Sequence, residues 1–182
     1  LEMTYRSIPF WRSDYNCAFH SDLFDATQAH TYGISFWLPI TGTALYMQNE
    51  YSGRSAIMPL MLMDFYSHQN PEFDFYLEQR DLMVGNYYPL DFGSFDKDKI
   101  LAMQYSTEDA LSGTALVYKR LNVKDKEYTV KFNGLVPGAS YDVYDYDNPQ
   151  KVYKMTGQEL MNDGLTIKLP DGEKCIILMF SV

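Results

Sequence analysis

The sequence has no long hydrophobic run. The longest, Ala56–Met63, is broken by Pro59 and falls well short of the ~20 residues that cross a bilayer, so no membrane-spanning helix is expected. Cysteine is scarce: Cys17 and Cys175 lie far apart in segments of different kind, which makes no disulfide framework and leaves the redox compartment open. Positive charge is in deficit. Lys+Arg is 15 against Asp+Glu 24, and the formal net charge of -9 has no basic patch to offset it, which argues against nucleic acid as a partner. His20, His30 and His68 show no metal-ligand spacing with cysteines or carboxylates, and Gly42, Gly53 and Gly85 stand alone, so neither a metal, a phosphate loop nor any other cofactor is expected. The chain opens on Leu1 and not on Met, and Leu1–Tyr5 has neither a basic nor an apolar leader region. It reads as starting inside a longer polypeptide, and its localisation stays unknown.

What is present has an ordinary globular balance. The 182 residues are 46% hydrophobic and 21% charged, enough to bury a core in one or two domains and too apolar for a disordered chain. Aromatics reach 16%, with many of the 16 Tyr beside polar residues. Most large aromatics serve as core. Others can offer a ring face and a polar tip to ligands with apolar C–H faces and hydroxyl rims.

The chain has two parts of different rhythm, residues 1–95 and 96–182. In the first, Pro9–Asp14 reads as a short strand opening into a loop, and Ser21 and Asp22 offer N-caps for a helix over Leu23–Tyr32 that Gly33 would stop. Ile34–Ile40 then reads as a strand. Pro71–Val84 reads as a helix with Phe73, Leu77, Arg80 and Val84 on one stripe, while the carboxylates between Glu72 and Asp81 suit a solvated face. This is the rhythm of βα units in a parallel sheet, about three of them, too few to close an eight-stranded barrel. In the second part, short strand-like runs occupy 100–105, 114–120, 127–132, 141–146, 151–155, 165–169 and 175–182. Asn133-Gly134, Pro137-Gly138, Asn148-Pro149 and Pro170-Asp171-Gly172 separate them, and one short helix is indicated near Gln158–Asn162. The pattern predicts an antiparallel β-sandwich.

Trp11-Arg12-Ser13-Asp14 is the most informative stretch. An Asp at the carboxyl end of a βα strand stands where such sheets present reactive groups, and a neighbouring ring and cation can bind substrate and tune the carboxyl. A turn cap paired with Arg12 is the structural alternative for Asp14. Trp11 and Tyr15 likewise have two options, ligand contact or packing, and Arg12 can hold a ligand hydroxyl as well as Asp14.

Three further stretches extend the pattern: Gln28–Gly33, Gly85-Asn86-Tyr87-Tyr88-Pro89-Leu90, and Thr156–Leu165. Together with the tetrapeptide they fall in the order found in glycoside hydrolase family 36, the α-galactosidases and related retaining α-glycosidases. Over nearly its whole length the chain resembles the C-terminal portion of that family. The resemblance implies that residues 1–95 are the end of a (β/α)8 TIM barrel, about strands six to eight, and that residues 96–182 are a C-terminal β-sandwich. It implies Asp14 as the acid/base, Trp11, Arg12, Ser13 and Tyr15 as substrate-binding residues, and an α-galactoside oligosaccharide or glycoconjugate as substrate. Double displacement needs a second carboxylate as nucleophile. In the family it lies on an earlier strand, in a Lys-x-Asp-type motif that this sequence lacks. The chain alone is therefore expected to be inactive, and its open barrel edge to self-associate or to need an oligomeric neighbour. Tyr15-Asn16-Cys17 departs from the family pattern, and the family's His is not evident near Ile40-Thr41-Gly42, so the choice of sugar is not carried over. The competing reading is a pseudoenzyme, a non-catalytic carbohydrate-binding or structural module.

Overall fold

The computed structural model describes residues 10–11, 22–38, 41–45, 49–63, 71–91 and 96–182. The chain divides into two compact units, Leu1–Val84 and Gly85–Val182.

In the first unit, strand β1 (Phe10–Trp11), helix α1 (Asp22–Ile34), strand β2 (Thr41–Leu45), helix α2 (Glu50–Ser55), strand β3 (Leu60–Met63) and helix α3 (Pro71–Gln79) follow one another, with a 3-10 turn at Leu82–Val84. The strands pair in parallel in chain order, Trp11 opposite Gly42 and Gly42 opposite Leu60. Parallel neighbours need a crossover connection, and α1 and α2 lie in those connections.

Three boundaries differ from the sequence reading, one of them the end of α3, which stops at Gln79 and not at Val84. Gly33 does not stop α1, because the Ser35 N–H still donates to the Thr31 carbonyl at 3.2 Å. Ile34–Ile40 is not a strand over its described part: the N–H groups of Trp37 and Leu38 both close on the Ile34 carbonyl, at 2.9 and 3.0 Å. Phe36 and Trp37 are 57% and 83% exposed, so this apolar run lacks the burial of an inner parallel strand. The strand falls instead on the small residues of β2, where a Cβ at Gly42 would strike the Leu60 carbonyl oxygen. Close backbone approach, not hydrophobicity, selects the residue there. In α3 the buried face is Glu72, Phe75 and Tyr76. Leu77 and Val84, from the stripe read in the sequence, are 43% and 52% exposed. The helix turns this way because Glu72, read as solvated, is drawn inward by an arginine of α2.

The second unit holds strands β4 (Asn86–Pro89), β5 (Leu101–Ser106), β6 (Ser112–Lys119), β7 (Glu127–Val130), β8 (Ser140–Asp145) and β9 (Asn148–Thr156), helix α4 (Gly157–Asn162), and strands β10 (Leu165–Lys168) and β11 (Lys174–Ser181). Six of them make an antiparallel sheet in the order β4-β5-β6-β11-β8-β9, and β7 and β10 make a two-stranded ribbon. Each of the seven runs read from the sequence carries a strand. Asn148-Pro149 is not the expected turn: the chain reverses at Tyr146–Asp147 and the proline lies in β9. β9 is an edge strand, where a residue without an N–H is tolerated.

The ribbon alternates as a half-buried strand should, with Leu165 and Ile167 buried and Thr166 and Lys168 exposed. Its inward residues share one core with Ala115, Val117, Ile176 and Phe180 of the large sheet. α4 opens with a capping box. The Thr156 hydroxyl accepts from the Glu159 N–H at 3.2 Å, and the Glu159 carboxylate accepts from the Thr156 N–H at 2.7 Å. The Thr156 N–H, and after it the Thr156 hydroxyl, which donates to the same carboxylate oxygen at 2.8 Å, hold the Glu159 carboxyl below its ordinary pKa.

Tyr141 is the polar pin of this core. Fully buried, its hydroxyl donates to the Ala110 carbonyl at 2.9 Å and accepts from the Val136 N–H at 3.0 Å. Ala110 has φ 60, a left-handed conformation that costs an L-residue roughly 1–2 kcal/mol, so the tyrosine braces a strained turn. Tyr141→Phe leaves both backbone groups without that partner, and a destabilisation of about 2–6 kcal/mol is expected at ~1–3 kcal/mol per stranded group. Hydrogen exchange of the core amides in β6 and β11 measures it, and a loss below about 1 kcal/mol would contradict the role.

Candidate functional site

β1 ends at Trp11, whose backbone pairs with Gly42. The Trp11 side chain and all of Arg12, Ser13, Asp14 and Tyr15 lie outside the described residues, as do Cys17, His20 and His68. Because β1, β2 and β3 are parallel, all three run toward one edge of the sheet, at which β2 and β3 end in Leu45 and Met63, while Trp11, level with Gly42 and Leu60, lies three residues short of it. In open βα sheets that is the edge at which ligands are bound. Asp14 follows Trp11 by three positions along the chain.

The described part of the first unit adds a buried polar seam that sequence reasoning missed. The Tyr51 hydroxyl donates to Asp25 Oδ1 at 3.0 Å, and Gln28 Nε2 donates to Ser55 Oγ at 2.8 Å, tying α2 to α1. Arg54 Nε donates to Glu72 Oε2 at 3.0 Å, tying α2 to α3, and its Nη1 lies 3.2 Å from Glu50 Oε1. Arg54 and Glu72 are 3% and 5% exposed, so this ion pair is shielded from water and salt. α2 itself lies in a stretch without hydrophobic periodicity. A local signal was present at its start: Asn49 Oδ1 accepts from the Ser52 N–H, and Ser52 Oγ from the Asn49 N–H, both at 2.9 Å. This is a capping box with serine in the usual place of glutamate.

Chemically, the seam fixes three helices to one another. Its carboxylates are engaged in those ties: Asp25 with Tyr51, and Glu50 and Glu72 with Arg54. Among the described residues no three His, Cys, Asp or Glu side chains converge to hold a metal ion, and Cys175 is fully buried.

The fold is that of a region found in α-galactosidase structures. The chain is similar to the galactosidase domain of the α-galactosidase-sucrose kinase AgaSK, with a TM-score of 0.66 at 19% identity. It is similar to the family 36 α-galactosidases AgaB and AgaA of Geobacillus stearothermophilus, with TM-scores of 0.67 and 0.66 at 17% and 16% identity. Each match covers 87% of this chain and 24% of the other, so the chain spans about a quarter of the length of those proteins. No curated protein sequence matches it. Residues 100–178 match the family described as the Glycosyl hydrolase family 36 C-terminal domain. Most of the second unit thus resembles that domain, and the chain shares its fold with a region of family 36 α-galactosidases, in line with the order of its motifs.

Proposed function

We infer that this chain is the C-terminal part of a retaining, α-galactosidase-like glycosidase, and that it supplies the acid/base, Asp14. The observation that carries the reading is the order of parts: a parallel sheet whose first strand leads into Trp-x-Ser-Asp, followed by a family 36 C-terminal domain. On this reading the first unit is the end of a (β/α)8 barrel, and the nucleophile comes from a strand upstream of Leu1.

The chemistry requires two carboxyl groups about 5–5.5 Å apart. Asp14, protonated, gives its proton to the glycosidic oxygen as the nucleophile attacks the anomeric carbon. The negative charge of the nucleophile keeps the Asp14 carboxyl protonated until that charge is masked as a glycosyl ester. Asp14, now ionised, removes a proton from the water that cleaves the ester. Trp11 and Tyr15 meet the sugar faces, and Arg12 and Ser13 its hydroxyls.

One carboxylate cannot perform a double displacement, so the chain by itself is expected to leave aryl α-galactosides intact. Release of the aryl group, followed by absorbance, checks this. Hydrolysis that survives purification and disappears in Asp14→Ala would mean that the chain holds both carboxylates. Were the parent a pseudoenzyme, the longer polypeptide would bind α-galactosides and release nothing.

A further inference from the structure

We propose that the second unit has a binding site of its own, for a neutral hydroxyl-rich ring such as one sugar residue, in the cleft between the β7–β10 ribbon and the β8–β9 hairpin. The cleft encloses about 270 Å³ over a floor of Ile167, Ile176 and Leu178. It exists because the core stops early on this side. Along β8 the inward residues Tyr141 and Val143 are fully buried, but the next is Asp145, opposite Leu178. A carboxylate stands where an apolar side chain would have continued the core beneath the ribbon. The register shifts between Tyr144 and Asp145, an irregularity of the kind that re-aims a side chain beside a site. Asp145 Oδ1 accepts from the Asp147 N–H at 3.0 Å, which orients the carboxylate.

The rim decides the class of ligand. Glu127 and Asp145 face it with Lys151 and Lys168, two charges of each sign, and Lys151 Nζ is held 4.8 Å from the centroid of the Tyr153 ring. Neither an anion nor a cation gains from such a rim as a whole. A neutral ring that donates to the carboxylates and accepts from the ammonium groups satisfies both, and lays its C–H face on the floor. The volume lies just below the ~300 Å³ at which pockets for drug-sized ligands begin, which limits the occupant to about one ring. All the lining residues belong to the second unit, so this inference does not rest on the role of Asp14.

The test is a titration of the isotope-labelled chain with D-galactose, D-glucose or sodium phosphate, read by amide chemical shifts. Saturable shifts are expected with at least one sugar, centred on Asp145–Lys151, Tyr153 and Thr166–Lys168, and unchanged in Asp14→Ala. The exposed pair Glu127→Ala and Lys168→Ala, made together, should weaken sugar binding about tenfold or more, the scale of a lost charged hydrogen bond, while leaving the remaining amide shifts in place. Absence of saturable shifts with both sugars, shifts with phosphate alone, shifts confined to residues 1–84, or affinity unchanged in the double variant would each overturn the proposal.

Discussion

Asp14→Ala, made in the longer polypeptide that carries the proposed nucleophile, should slow hydrolysis of natural α-galactoside oligosaccharides by about 10²–10⁴, the scale of general acid–base assistance. The loss depends on the leaving group. A sugar alcohol leaves poorly without a proton, so its departure takes the full effect. An activated phenolate needs little protonation, so the first step on aryl substrates should be nearly spared while the second, which needs Asp14 as base, slows. Burst kinetics on aryl substrates separates the two steps. Full activity on oligosaccharides would return Asp14 to its structural alternative, a turn cap paired with Arg12.

The largest effect on the stability of the first unit is expected at the Arg54–Glu72 pair. Arg54→Ala removes the cation 3.0 Å from a carboxylate that is 5% exposed, and breaking a buried pair from one side costs about 3–5 kcal/mol. Replacing both partners by methionine should recover most of that loss, because apolar groups of similar volume need no ionic compensation. The two tryptophans, Trp11 and Trp37, both lie in the first unit, so urea unfolding followed by tryptophan fluorescence reports on that unit by itself. A double variant as unstable as Arg54→Ala would show that the seam acts through shape and not through charge.

The second unit was largely legible because its signals are local. Leu165-Thr166-Ile167-Lys168 alternates with the period of a strand and is buried and exposed in that alternation. Thr156 and Glu159 announce the helix that they cap. The first unit depends on partners distant in sequence. Glu72 looks like a surface carboxylate until Arg54, eighteen positions earlier, is brought against it. Gly42 looks like a strand breaker until the Leu60 backbone is packed on it. Phe36 and Trp37 look like core and lie exposed. At the candidate site, residue order pointed to the family, which the match over residues 100–178 supports. The alternation at Asp145 was equally readable, yet a lone inward carboxylate acquires meaning only once Leu178 is known to lie opposite.

The central claim, Asp14 as the acid/base of a retaining enzyme, is tested most directly by the anomer formed when azide rescues Asp14→Ala in the longer polypeptide. Azide needs no base, and it enters the glycosyl-enzyme from the face that the missing carboxylate occupied, opposite the nucleophile. The account predicts restored turnover of an aryl α-galactoside with galactosyl azide of retained, α configuration. The β-azide would make Asp14 the nucleophile instead, and unrescued, wild-type turnover would remove it from the chemistry.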